Sequence, residues 1–397
     1  MYSSNAQGEK VLQMENLFLK KKLKQCTTPL LSFINRLVWK SDKKVLLYIP
    51  NKKFVYSLGP LKQYLLENGY NKKYDISYGY QDLEKFGEGK WVEMLAIVKS
   101  ILFFFRAKHV FYTAGQIPIK PSRSQIVIHV DHGNANFKPI GKLANIDNGD
   151  EFFFTYFIAS SDFFVPILAK EYVCPESCIK VLGDPLIDAL LKAPKGVYDF
   201  SAFKKLLVWM PTFRNCESLG YKDSDLNTLV PLFDITDYPE LNELLAKYNI
   251  RLIVKLHPIQ TVPKGMQRHF SHLSVYSHDE FVASEYDMFT LIANSDGLIG
   301  DYSSASLQYL LTDRPQAYVV PDIDDYAANR GFIYDNPEDY MGGHIVKTKE
   351  EFMQFIKDFA EGNDPYRDKR HWVCDQMYKY KDANSCERIV KLSEMSV

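Results

Sequence analysis

Arg251-Leu-Ile-Val-Lys-Leu-His-Pro258 is the stretch from which the fold is read. The apolar run between Arg251 and Lys255 has the length and composition of a strand, and Pro258 ends any ladder beyond it. Upstream, Leu206–Met210 reads as another strand and Pro239–Tyr248 as a helix. Downstream the alternation continues through helix Glu285–Asn294, strand Gly297–Gly300, helix Ser303–Thr312 and strand Ala317–Val320. Strands separated by helices imply a parallel α/β sheet, so this half predicts a Rossmann-like unit.

The first half has the same texture. Val45–Ile49, Asp75–Tyr80, Val110–Thr113 and Ile126–Val130 read as strands, with helices at Leu61–Glu67, Trp91–Arg106 and Ser161–Tyr172. The Trp91–Arg106 pattern is apolar on so broad a face that it predicts deep burial, with contact to lipid as the other outcome. Lys192-Ala-Pro-Lys-Gly196 reads as a linker. The expected organisation is a segment 1–44, an α/β unit 45–194 and a second α/β unit 195–397, the two units facing across a cleft. Neither G-x-G-x-x-G nor G-x-x-x-x-G-K-[ST] occurs, which argues against a dinucleotide fingerprint or a P-loop.

The 397 residues carry a formal charge of −1, which excludes a nucleic-acid trap by bulk electrostatics. The charge is uneven. Residues 1–44 hold nine basic and three acidic groups, set among Leu12, Leu17, Phe18, Leu30, Phe33, Leu37 and Trp39. Such a basic amphipathic segment suits an anionic bilayer surface; a helix packed on the body with solvated lysines is the alternative. No secretory signal is evident at the start of the sequence. The six cysteines are scattered and read as reduced apolar side chains; Cys174 and Cys178 form a lone C-x3-C with no second pair. No acidic cluster asks for a metal, so neither metal nor cofactor is expected.

Four constellations carry chemistry. Asp131-His132-Gly133 follows the strand Ile126–Val130, with Lys138 and Gly141 beyond it. A histidine there projects into the crevice where α/β folds bind ligands, and its near-neutral pKa suits general-base work. Lys255-Leu-His257-Pro258 ends a strand of the second half in the same way. In Gly300-Asp301-Tyr-Ser303-Ser304 the hydroxyls and the next helix's first N–H groups form an anion site, or simply a helix cap. Pro211-Thr212-Phe-Arg214 places a forked cation at another strand's end.

In chain order these motifs resemble the CDP-glycerol glycerophosphotransferase family of teichoic-acid and capsule enzymes. The matching stretches are His132-Gly133 with Lys138, Ser160–Phe164, Gly183-Asp184-Pro185 with Asp188, Pro211–Arg214, Lys255–Pro258, Asp301–Ser304, Arg314-Pro315, Asp322 with Tyr326, and Arg330-Gly331-Phe332. Leu186 stands where the family usually has Arg, and Gln308 where it usually has an acidic residue.

The resemblance implies a GT-B fold and a CDP-polyol donor. It implies transfer of a polyol phosphate, glycerol phosphate first, to a hydroxyl of a cell-surface glycan or lipid-linked acceptor, with release of CMP. His132 and His257 are then the catalytic candidates. Arg214, Thr212, Lys255, Asp301, Ser303, Ser304, Gln308 and Arg330 are the donor and phosphate candidates, with Gly133 and Lys138 on the acceptor side. The expected place is cytoplasmic, peripheral on the inner face of the membrane. Alternatives are a GT-B glycosyltransferase using a nucleotide sugar, and an inactive carbohydrate- or membrane-binding homologue.

Overall fold

The computed structural model describes residues 27–49, 56–86, 89–113, 115–131, 135–143, 151–216, 221–258, 260, 262 and 267–397. Two six-stranded sheets, each wholly parallel, form its frame. The first holds β1 (Ser41–Tyr48), β2 (Asp75–Ser77), β3 (Ala107–Tyr112), β4 (Ile126–His129), β5 (Tyr156–Ala159) and β6 (Ile179–Val181), in the order β2-β1-β3-β4-β5-β6. After β7 (Lys205–Trp209) comes a small hairpin of β8 (Asn215–Cys216) and β9 (Tyr221–Lys222). The second sheet is completed by β10 (Ile250–Lys255), β11 (Leu273–Tyr276), β12 (Gly297–Gly300), β13 (Gln316–Val319) and β14 (His344–Val346), in the order β11-β10-β7-β12-β13-β14.

The strands are continuous apolar runs because helices cover both faces of each sheet. Val45, Leu46 and Leu47 are all fully buried, as are Leu252, Ile253 and Val254. In the second sheet the order reverses between β7 and β12. The loops after those two strands therefore open a crevice at a topological switch point.

The two halves share one core. Phe137, Phe157 and Ala159 of the first pack in the same cluster as Tyr302, Tyr318, Val320 and Met377 of the second. The chain also crosses back at its end. Helix Ser385–Leu392 lays Cys386, Ile389 and Val390 against Val45, Leu47 and Ile49, and Asp188 accepts from Ser385 N (2.9 Å) and Cys386 N (2.8 Å). The unit expected over 195–397 thus ends on the other sheet, where a carboxylate from helix Pro185–Lys192 caps its last helix.

Two further sequence expectations change here. Helix Lys90–Arg106 is not deeply buried. Among its described side chains Ala96, Ser100 and Phe104, one i, i+4, i+8 stripe, are buried and Ile101, Phe103 and Phe105 partly so, whereas Trp91 is 74% exposed and Leu102 61%. Among the described residues nothing covers that outer face. The basic segment 1–44 is described only from residue 27, where a helix spans 27–37. Lys40, one of its nine basic groups, is buried and donates to Asn35 O (2.7 Å), Asn35 Oδ1 (2.7 Å) and Phe105 O (2.6 Å). Burial lowers its pKa to about 8. Leu30, Phe33, Leu37 and Trp39 of the same region point outward.

Candidate active site

The loops after β7, β12 and β13 meet in a closed ion-pair cluster. Arg214 is its centre. Nη1 donates to Asp301 Oδ2 (2.7 Å) and to the Thr212 carbonyl (2.6 Å), while Nε reaches Asp322 Oδ2 (2.7 Å) and Nη2 reaches Asp322 Oδ1 (3.3 Å). Thr212 completes the Asp301 side, donating N–H to Oδ2 (2.8 Å) and Oγ1 to Oδ1 (2.5 Å). Ser224 Oγ (2.5 Å) and Tyr302 OH (3.2 Å) complete the Asp322 side. The guanidinium also lies 4.8 Å from the Tyr302 ring centroid and 5.5 Å from that of Tyr326.

The electrostatics follow from these contacts. Burial alone would lower the Arg214 pKa, but Asp301 and Asp322 outweigh it and hold the guanidinium charged well above its usual range. Burial would raise Asp322, and Arg214, Ser224 and Tyr302 bring it below the ordinary carboxylate value instead. Gly300 lets helix Ser304–Tyr309 fold back against the end of β12, because a Cβ there would lie 2.0 Å from Ser306 Oγ.

Next to this cluster lie a neutral histidine and two cations of another kind. His257, at the end of β10, stacks on Phe213 with ring centroids 5.1 Å apart. Burial, then the ammoniums of Lys138 and Lys255, lower its pKa to about 4, Asp301 opposing and His278 adding a little, so the ring is neutral at pH 7. Burial brings Lys138 down to about 8, with Asp301 and Asp223 pulling up and Arg214 and Arg330 pushing down. Lys255 is lowered by burial too. Among the described residues neither ammonium has a hydrogen bond or ion pair; Lys255 lies 5.4 Å from the Phe281 ring. One comes from each half of the chain.

The remaining candidates are placed as follows. Ser303 caps helix Ser304–Tyr309 through Ala305 N (3.3 Å), and Ser304 opens that helix. Gln308 is buried within it, with Nε2 unbonded among the described residues. Arg330 donates Nη2 to the Pro139 carbonyl (3.4 Å) and pairs loosely with Asp223 (4.0 Å). His132 and Gly133 lie outside the described residues. The turn that leads to them is described: Asp131 is fully buried, takes φ 54°, and its carbonyl accepts from Thr113 Oγ1 (2.5 Å). A non-glycine residue in that region is strained, a feature often found beside functional positions.

Sequence reasoning named neither Asp322 nor Ser224 as a site residue. The available signal was the i, i+4 spacing of Asp322 and Tyr326 at the start of helix Ile323–Asn329, which puts both on one face. His278, near His257, carried no local signal.

The model of the family described as CDP-Glycerol:Poly(glycerophosphate) glycerophosphotransferase matches residues 30–394. The chain belongs to this family. Among the relatives of this glycerophosphotransferase-family chain, the teichoic acid ribitol-phosphate primase of Bacillus spizizenii is 29% identical over 59% of this chain and 58% of its own. The teichoic acid ribitol-phosphate polymerase TarK of Staphylococcus aureus is 25% identical over 68% and 52%, and the teichoic acid glycerol-phosphate primase of Bacillus subtilis 23% over 75% and 76%. The chain spans a little over half the length of the first of these curated relatives. The wall teichoic acid polymerase TagF shares the fold, with a TM-score of 0.67 at 17% identity over 99% of this chain and 98% of that one. The family member described here is thus α/β with two parallel sheets, similar to TagF and GT-B-like, as the sequence predicts.

Proposed function

We propose that this chain transfers a polyol phosphate from a CDP-activated donor to a hydroxyl of a cell-surface glycan or lipid-linked acceptor, releasing CMP. Glycerol phosphate is the first polyol to test and ribitol phosphate the second, since relatives are named for both. One observation carries the reading. Lys138 and Lys255, one from each half, bear on His257 and have no carboxylate within bonding distance among the described residues. Two desolvated cations that no carboxylate pairs with directly are complementary to a diphosphate.

In this mechanism the acceptor oxygen attacks the polyol-bearing phosphorus and a new P–O bond forms. The diphosphate P–O bond breaks, its electron pair leaving on CMP, and the acceptor proton passes to His132. Lys138 and Lys255 hold the developing phosphate charge, and neutral His257 donates a hydrogen bond to a phosphate oxygen. Arg214 keeps the three loops in register, four of its five N–H donors being committed to Asp301, Asp322 and Thr212. Incubation with CDP-glycerol, CDP-ribitol and UDP-sugars, scored by nucleotide release, tests the activity. His132→Ala is expected to slow CMP release about 10²–10⁴-fold, the usual effect of losing a general base, while CDP still binds. Release of UDP alone would make the chain a glycosyltransferase, and no release would leave it a binding homologue.

A lipid-linked acceptor would bring the work to the inner face of an anionic bilayer. No helix among the described residues is long and apolar enough to cross a membrane. The exposed faces of 27–37 and Lys90–Arg106 support peripheral contact instead, since both helices pack on the buried cluster around Leu46 and Phe104. An open groove of about 390 Å³ there is lined by Leu95, Val98, Leu102 and Phe103 with Lys44, Lys99 and Arg106. Apolar surface among cations suits an interface rich in anionic headgroups. Co-sedimentation with anionic vesicles should weaken as salt rises, and Leu95→Glu with Leu102→Glu should abolish it. Equal binding by that variant would sink the reading.

A further inference from the structure

Residues 135–139 follow β4, so the order of the chain assigns them to the first half. Their backbone is nevertheless held by the second half. Asn136 O accepts from Tyr334 OH (2.9 Å), Phe137 O from Ile333 N (3.0 Å) and Pro139 O from Arg330 Nη2 (3.4 Å). Phe137 is fully buried, edge-on to Tyr318 (6.2 Å) and Tyr334 (5.5 Å). Tyr334 is itself buried and stacks on Tyr340 at 4.2 Å. Lys138 lies between two of these anchored carbonyls. Its charged neighbours Asp301, Arg214, Asp223 and Arg330 all belong to the second half.

We propose that the strap 330–334 is a positioning device for Lys138, acting through the Tyr334 hydroxyl and the Phe137 ring. It fixes the Lys138 ammonium to the half that carries His257 and Lys255, so that all three bear on the same donor phosphates. Lys138 is then a donor-side residue held by the C-terminal half, although its position in the chain suggests the acceptor side. The inference rests on the reading above in which Lys138 binds the donor diphosphate. Tyr334 touches no phosphate. It acts by restricting where Lys138 can be, and a misplaced charge loses much of its hydrogen-bond energy.

Calorimetric titration of the full chain with CDP tests this in four proteins: wild type, Tyr334→Phe, Lys138→Met, and the double variant. Tyr334→Phe removes one hydroxyl and leaves the ring, and should weaken CDP binding about fivefold to tenfold. In the Lys138→Met background the same change should weaken it less than twofold, because the strap acts only through that lysine. The pH dependence of CDP binding supplies a second readout. Its alkaline limb should move upward in Tyr334→Phe, as a loosened ammonium regains water. An equal loss in both backgrounds would make Tyr334 merely structural and overturn the proposal, as would unchanged affinity in Tyr334→Phe. Failure of Lys138→Met alone to weaken CDP would instead bring down the donor-binding role of Lys138, and this inference with it.

Discussion

Arg214→Met is expected to cost about 3–5 kcal/mol of stability in the absence of any substrate, the usual result of breaking a buried ion pair from one side. The side chain is 4% exposed and bridges two carboxylates that arrive from different loops. Its loss leaves Asp301 and Asp322 charged, desolvated and facing each other, with Ser224, Tyr302 and Thr212 as their remaining donors. Arg214→Lys should recover little, since an ammonium cannot fork to both carboxylates. Urea denaturation of the ligand-free chain measures the effect. A direct phosphate ligand would behave in the opposite way, with near-normal stability and a large loss of donor affinity. That outcome would return Arg214 to the donor contacts and refute the structural role.

Lys138→Met should lower kcat/KM for CDP-glycerol about 10–150-fold, the equivalent of one charge-assisted hydrogen bond of about 1.5–3 kcal/mol. The pH profile carries the sign. The ammonium, with its pKa lowered to about 8, is present below that pH and is lost as pH rises through it, so donor binding weakens on the alkaline side. Lysines at the ordinary value would show no such limb before pH 10. Lys138→Arg keeps the charge across the range, and its profile should lose the limb near pH 8 even where the absolute rate falls. Initial rates between pH 6.5 and 9.5 decide the matter. A wild-type profile that is level on the alkaline side, together with an active Lys138→Met, would remove Lys138 from the donor site.

Much of this site was legible in advance. His257 and Lys255 were readable because a histidine and a lysine at the end of an apolar strand, followed by proline, have few places to go except the sheet's rim. Asp301 was readable from the strand-to-helix turn. The helix Lys90–Arg106 was readable as a helix, and its bounds agree within one residue. Its sequence predicts deep burial and the structure leaves its outer face exposed, because an apolar helix surface looks the same in sequence whether a neighbouring element or a bilayer is to cover it.

The sequence by itself determined that there are two parallel α/β units, and which loops end at their crevices. Local pattern suffices for this, since continuous apolar runs of strand length demand cover on both faces and the alternating helices supply it. Tertiary structure alone decided what those loops do to one another. An arginine fork fits a carboxylate as well as a phosphate, and the partners that commit Arg214 lie 87 and 108 residues further along the chain. Likewise, nothing within residues 135–139 announces that their carbonyls will be taken by residues 330–334, or that the last helix will return to the first sheet. Such pairings are set by how two sheets pack into one core, a property of the folded surfaces that no window of sequence contains.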